Sequence, residues 1–327
     1  MEYCFAVIGL GSIAKRHRSN LKKLYPRSKV FAISSSGRVP QEVVIDADII
    51  CDSFDDLIQA SPNMVIVASP APFHLEHVKK LLMKNIPLII EKPITSKVED
   101  ALELQELVNN AGVSVIVGYC LRYLSSAIKI KQLIDENVLG TVHSCIANVG
   151  QYLPDWRPQI DYRVSVSARE ELGGGVLLEL SHEFDYIQWL LGDLSFESGI
   201  LQTSPALNTS VEVVADLILR TSQDVACSLH LDFLQREPHR VCSFIGEKGR
   251  LDWDLIANSI ELRDSDGIQV LFNEPDWDKN LMYCNMVQDF MNEAGKKKVS
   301  GTTLSEAVKT LELINTIKQR ATWIDKK

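Results

Sequence analysis

The chain has no C-x-x-C pair, no apolar run of membrane-spanning length, no low-complexity linker and no excess of positive charge. Each absence excludes something. Its seven cysteines are odd in number and widely scattered, which argues against a disulfide framework and fits small buried hydrophobes in a reducing compartment. Its longest apolar runs are strand-sized, whereas a bilayer span needs about 18 or more residues, so no membrane partner is expected. With 34 Lys+Arg against 43 Asp+Glu the formal net charge is −9, so no nucleic acid is expected as a general partner, because such a binder needs a basic face. Any anionic ligand must then be met by local clusters. Met1 leads almost directly into an apolar strand without a basic n-region, so no signal peptide is read and the expected place is the cytoplasm.

One more absence is local. The stretch VFAISSSGR, residues 30–38, reads as a strand running into serines, a glycine and an arginine, with no acid. This matters because FAVIGLGSIAKRH, residues 5–17, turns from an apolar strand through Gly9 and Gly11 into a helix. Gly9-x-Gly11-x-x-Ala14, with Ser12 and Ile13 inside the turn, has the form of a dinucleotide fingerprint. Gly9 allows the tight turn, Gly11 the close approach of a pyrophosphate, and Ala14 the near contact of helix and strand, while the helix N-terminus offers free N–H groups to the phosphates. An NAD site usually places an acid about 20 residues further on to hold the ribose 2′-OH. Here Ser34, Ser35 and Ser36 offer hydroxyls and Arg38 a charged fork, which suits a 2′-phosphate. The preferred cofactor is therefore NADP, with NAD as the other candidate.

Up to residue 120, short apolar runs (CFAVIGL, KVFAI, MVIVAS, PLIIEKP, VSVIVGY) alternate with amphipathic stretches. Runs this short and uniformly apolar imply a parallel sheet covered on both faces. The expected fold class is α/β, a doubly wound Rossmann domain at 1–120 followed by an α+β domain at 121–327. Strand and turn patterns between 211 and 272 imply a large, mostly antiparallel open sheet in that second domain. GGGVLLELSHEFDYIQWLLG reads as a glycine turn running on into a helix. A closing helix at 303–324, with Thr303 and Glu306 placed as a capping box, could pack back on the first domain. His17 falls on the buried face of the first helix and reads as a core histidine, and the lysines at 296–298 as a solvated helix end.

IIEKPIT, residues 89–95, puts Glu91, Lys92 and Pro93 just beyond a parallel strand, where ligands bind in an open α/β sheet. Taken with the fingerprint, GYCLRY, the triple glycine and LSHEFDYIQWLLG, the chain resembles the glucose-fructose oxidoreductase, inositol dehydrogenase and rhizopine-catabolism (Gfo/Idh/MocA) family along essentially its whole length. The resemblance implies a pyridine-nucleotide oxidoreductase acting on a sugar or cyclitol alcohol, and a homodimer or homotetramer paired through the second sheet. It makes Lys92 the cation beside the reacting oxygen and His182 the proton acceptor, roles that alkoxide stabilisation and near-neutral titration require. Ser69, Pro70, His74 and Glu91 join the cofactor residues. Many members carry an aspartate four residues before the histidine, whereas this chain has Glu179 three before and Asp185 three after. Either carboxylate is a candidate to orient the ring or meet substrate hydroxyls. In GQYLPDWRPQIDYR, residues 150–163, Tyr152, Trp156 and Tyr162 supply flat faces and Arg157 and Arg163 forks. Arg122 joins them through the resemblance. Similar loops accompany branches that handle surface-polysaccharide sugars, so the expected substrate is an acid- or nucleotide-bearing sugar. No metal is expected. A regulator that senses nucleotide or sugar on the same fold is the alternative, which retention of both Lys92 and His182 disfavours, as the histidine helix and arginine-rich loop disfavour a bilin reductase.

Overall fold

A computed structural model of the chain describes residues 3–38, 40, 43–293 and 301–324. The lysines at 296–298 lie outside the described residues. By backbone contacts the chain falls into two units, Met1–Cys120 with Asn280–Leu311, and Leu121–Lys279 with Glu312–Lys327. Asn280–Leu311, given to the second domain in the sequence reading, groups with the first unit.

The first unit opens with β1 (Cys4–Ile8), α1 (Ser12–Leu24), β2 (Lys29–Ile33), β3 (Ile49–Ile50), α2 (Phe54–Gln59), β4 (Met64–Val67), α3 (His74–Leu82), β5 (Leu88–Ile90), α4 (Val98–Ala111) and β6 (Val115–Val117). The second holds α5 (Ser125–Asp135), β7 (Val142–Gly150), α6 (Val176–Glu179), α7 (His182–Leu191), β8 (Leu194–Gln202), β9 (Val214–Thr221), β10 (Ala226–Asp232), β11 (His239–Gly246), β12 (Gly249–Asp254), β13 (Ser259–Asp264) and β14 (Gly267–Asn273). The chain closes with α8 (Leu281–Glu293), α9 (Leu304–Arg320) and β15 (Thr322–Ile324).

The first sheet runs β3-β2-β1-β4-β5-β6 and every pairing is parallel. Ala6 of β1 sits between Phe31 and Val65, and Phe5, Ala6, Val7 and Ile8 are fully buried. Both faces of a parallel sheet are covered, so a strand without polar alternation is the stable solution. On α1 the buried residues Ala14, His17, Arg18 and Leu21 follow the helical period. Gly112 ends α4 in the left-handed region at φ 65, its N–H reaching the Val108 carbonyl. α8 lies against α1, where Asn20 and Asn280 exchange amide hydrogen bonds of 3.2 and 2.7 Å.

The second sheet runs β14-β13-β12-β11-β7-β10-β9-β8-β15. It is mostly antiparallel, as expected, with two parallel pairings, β10 with β7 and β15 with β8. Along β9, Ala215, Leu217 and Leu219 are buried while Asp216, Ile218 and Arg220 are exposed, the alternation of a sheet covered on one face. α6 packs on β9 and β10, α7 on β8, and α5 on β13 and β14. Beneath them Trp253 meets the Tyr186 ring edge-on at 5.1 Å and donates to the Ser126 hydroxyl at 2.8 Å.

Two expectations need correction. The helix after the triple glycine is broken: Leu180 leaves the helical region at φ −99, ψ 30, so Glu179 ends α6 and His182 begins α7. The two residues therefore do not share one helical face. Each segment is anchored on its own, α6 by Glu212, whose carbonyl takes the Val176 N–H at 3.0 Å and whose carboxylate takes the Leu177 N–H at 3.4 Å, and α7 by arginine pairs described below. The closing helix stops at Arg320, because Thr322, Trp323 and Ile324 are strand formers that pair with residues 200–202 of β8. Its capping box is present, with the Thr303 N–H donating to the Glu306 carboxylate at 2.8 Å and the Glu306 N–H to the Thr303 hydroxyl at 3.3 Å.

Candidate functional site

The polar residues that the first sheet lacks gather where β1, β2, β4 and β5 end. Gly9 has φ +110, and a Cβ there would lie 2.5 Å from the Ala68 carbonyl oxygen. Only glycine fits that approach. Gly11 is the opposite case, since a Cβ there would meet nothing within 4 Å. No side chain caps α1, whose first turn begins at Ser12 and Ile13. Open space in front of uncapped helix N–H groups is what a pyrophosphate needs, so the turn fits the nucleotide its sequence implies. Arg18, buried in α1, donates to the Gly9 carbonyl at 3.3 Å and to the Ile45 carbonyl at 3.0 Å. Burial pulls its pKa down, against the pull of Asp46. The fingerprint alone gave no sign of this support.

At the end of β2 the chain turns sharply: the Gly37 N–H donates to the Ser34 carbonyl at 3.1 Å, and the Ser34 and Ser36 hydroxyls lie 3.2 Å apart. Arg38 is exposed and makes no ion pair among the described residues. Ser69, after β4, presents its hydroxyl to His77 Nδ1 at 2.9 Å, and His77 Nε2 faces the Ser35 carbonyl at 3.2 Å. Burial, then the neighbouring His74, push the His77 pKa down to about 4. Pro70 precedes a short helical turn that leads into α3. His74, fully buried, has Nδ1 3.0 Å from the Ile94 carbonyl and Nε2 2.8 Å from that of Ser69. Burial lowers its pKa, and a neutral ring donates to one of these carbonyls only.

Beyond β5, Glu91 is buried against His17, with 2.6 Å between Oε1 and Nε2, and its Oε2 accepts the Lys92 N–H at 3.2 Å. His17 is thus a core residue, as expected, and also the partner of the motif glutamate. A Cβ at Gly118 would press on the Glu91 carboxyl at 3.1 Å, so the glycine leaves that carboxyl its room. Lys92 is half-buried and its bond to Pro93 is cis.

In the second unit His182 is buried in the first turn of α7 and Glu179 is half-buried at the end of α6. Asp185 holds Arg122 in a two-pronged pair, 2.9 Å to Nε and 2.7 Å to Nη2, with both side chains buried. Glu183, which the sequence reading passed over, holds Arg240 in the same way at 2.8 and 2.9 Å. Of the loop residues, Trp156, Arg157 and Tyr162 line one recess. Trp156 stands edge-on to Phe233 at 5.4 Å, and the Tyr162 hydroxyl donates to the Leu207 carbonyl at 2.9 Å. Arg163 folds back on Asp161 as an exposed pair, and Tyr152 lies under the Arg236 guanidinium at 3.6 Å. Neither lines the recess with Trp156.

Comparison with known proteins bears on both units. Residues 4–119 match the model of the Gfo/Idh/MocA oxidoreductase family, NAD-binding Rossmann fold, and residues 127–252 that of the Gfo/Idh/MocA C-terminal domain. An uncharacterised oxidoreductase of Synechocystis is 25% identical over 276 residues, 79% of this chain and 72% of that protein. Two other relatives, each 30% identical, are matched over only 33% and 37% of their own length. Among solved structures, levoglucosan dehydrogenase in complex with NADH and levoglucosan superposes with a TM-score of 0.85 at 15% identity, covering 98% of this chain and 97% of that one. The WlbA dehydrogenase of Bordetella pertussis in complex with NADH and UDP-GlcNAcA gives 0.79 at 19%, covering 98% and 96%. At these identities the likeness is one of fold.

Proposed function

The chain belongs to the Gfo/Idh/MocA oxidoreductase family, and on that premise we propose that it moves a hydride between a nicotinamide cofactor, NADP in preference to NAD, and a hydroxyl or keto carbon of a sugar derivative. A bound nicotinamide supplies the hydride or accepts it. The chain does the rest. Gly11 and the N–H groups of Ser12 and Ile13 hold the pyrophosphate, and Ser34, Ser35, Ser36 and Arg38 hold a 2′-phosphate by hydrogen bonds and a charged fork. Lys92 stabilises negative charge on the reacting oxygen, Glu91 fixes the turn that carries it, and His182 exchanges the hydroxyl proton. Asp185 acts through Arg122, whose position it fixes. Glu179 is the carboxylate we assign to substrate hydroxyls.

Arg157, exposed in the loop at 150–163, offers a fork to an anion, and a structural neighbour was solved with UDP-GlcNAcA. The substrate we propose is an acid- or nucleotide-bearing sugar of the surface-polysaccharide kind. The open face of the second sheet, with Ile146, Ile200 and Ile218 exposed, would pair with the same face of a second copy. Free cysteines throughout the described chain fit a cytoplasmic setting, and no helix among the described residues is long and apolar enough to cross a membrane.

The observation that carries the reading is the pairing of an open, uncapped phosphate turn at Gly11 with an acid-free serine turn ending in Arg38, which makes no ion pair among the described residues. Fluorescence titration should find NADPH bound at least about tenfold tighter than NADH, a difference of about 1.4 kcal/mol, with the preference lost in Arg38→Ala. Equal binding by the wild type would overturn NADP as the cofactor. With UDP-linked amino sugars and uronic acids as trial substrates, Lys92→Ala and His182→Ala should each lower turnover at least about a hundredfold with cofactor affinity kept.

A further inference from the structure

His77 belongs to no motif singled out in the sequence. It is 4% exposed, and its ring stacks near two phenylalanines, 28° from the plane of each, at 5.1 Å from Phe54 and 6.2 Å from Phe73. Stacking leaves only the ring edge for polar contact, and both nitrogens on that edge are used. Nδ1 takes the hydroxyl of Ser69, at the end of β4, and Nε2 faces the carbonyl of Ser35, at the end of β2. With Ser69 as donor to Nδ1, the proton of the neutral ring sits on Nε2 and points at Ser35. His77 thereby ties together two strand ends that lie on either side of β1.

The tie matters because of what it holds. The hydrogen bonds within the turn join Ser34 to Ser36 and to Gly37. Among the described residues, the His77–Ser35 contact is the one hydrogen bond that fastens residues 34–38 to anything beyond their own turn. In a doubly wound sheet the adenosine half of a dinucleotide lies across the ends of these strands. A turn that must present hydroxyls and a guanidinium to one substituent of a ribose gains selectivity by being held in shape before the ligand arrives.

We infer that His77 is a specificity-determining positioning residue: through its bridge from Ser69 to Ser35 it holds the turn at residues 34–38 in the form that distinguishes a 2′-phosphate from a 2′-hydroxyl. The inference rests on the nucleotide reading above and adds to it a residue that touches no ligand.

The test is the ratio of NADH to NADPH dissociation constants, measured by fluorescence titration on the full chain. His77→Phe keeps an aromatic ring stacked near Phe54 and Phe73 but makes neither hydrogen bond, and should shift the ratio at least about fivefold toward NADH while moving NADH affinity less than about twofold. His77→Gln, with an amide N–H to offer Ser35, should restore most of the ratio. In an Arg38→Ala background His77→Phe should have little further effect, because both act on the same recognition. If His77→Phe does not fold, His77→Asn, too short to span Ser69 and Ser35 together, should give the same shift. A ratio unchanged in the folded variant, or NADH and NADPH weakened alike, overturns the inference and leaves His77 a packing residue. A wild type that does not favour NADPH overturns the NADP reading separately, and in that case a ratio still moved by His77→Phe upholds the positioning role.

Discussion

In the first unit the sheet is apolar through its whole thickness and ionisable side chains gather where strands end. In the second they lie under the sheet as guanidinium–carboxylate pairs, Arg122–Asp185 buried and Arg240–Glu183 with its arginine half-buried, and over it as an open charged face that includes Asp216 and His230. The difference follows from covering. A sheet enclosed on both faces has no place along its strands where a charge can be solvated, so polar work is confined to its ends. A sheet covered on one face can carry charge on the other, and it tolerates charge beneath only when paired in a fixed fork.

The largest effect that would sharpen this contrast is expected beneath the second sheet. Asp185→Ala strands the Arg122 guanidinium in a buried place and should cost about 3–5 kcal/mol in urea unfolding. A loss under about 1 kcal/mol would mean that the guanidinium finds water and that the pair does not anchor α7. Next comes the fingerprint, where two glycines separate packing from binding. Gly9→Ala forces a Cβ onto the Ala68 carbonyl at positive φ and should cost at least about 2 kcal/mol. Gly11→Ala meets nothing and should leave stability within about 0.5 kcal/mol while weakening nucleotide binding at least tenfold. Equal stability losses in the two would erase the distinction.

The smallest effect is also the one of opposite sign in the two units. His77, its pKa pushed down to about 4 by burial and by His74, stays neutral in the folded chain below the ordinary histidine value of about 6.5. The unfolded chain takes up the proton first, so the stability His77 contributes is lost as pH falls from about 6.5 towards about 4. Lys80 adds to the shift and Glu76 opposes it. His230, its ring bonded to Asp232 and Asp216, has its pKa raised to about 9. Its contribution is full below about 6.5 and is lost as pH rises through about 9. Thermal melts across this range should lose part of their alkaline slope in His230→Gln and part of their acid slope in His77→Phe. A slope unchanged in either variant removes that histidine from the pH response.

Sequence alone carried far where the signal is local. The strands of the first sheet stand out as short apolar runs, and Gly9, Gly11, Ala14, Glu91 and Lys92 are placed by motifs only a few residues long. Shorter or weaker elements escaped: β3 is two residues, α2 six, and α8 has buried residues at 284, 287 and 290 that a count of the helical period could have found. What sequence could not supply were partners distant along the chain. Nothing near Asp185 in the chain announces its partner Arg122, and nothing near His77 announces Ser35. The break at Leu180 was equally hidden, since VLLELSHEF is a good helical string and the anchors of its two halves, Glu212 on one side and Arg122 and Arg240 on the other, are far away in the chain.

The path of the chain has a practical consequence for anyone who would cut it. Because α8 covers α1 and because α9 begins in one unit and ends in the other, neither unit is a transferable module. A fragment stopped at residue 120 would bare the flank of α1 around Asn20, which Asn280 now satisfies, and would also lack the strand-like bridge between Thr302 and Val117. Nucleotide-binding studies therefore belong on the intact polypeptide, and exchanging everything after residue 120 between relatives would carry away part of the first unit's own covering.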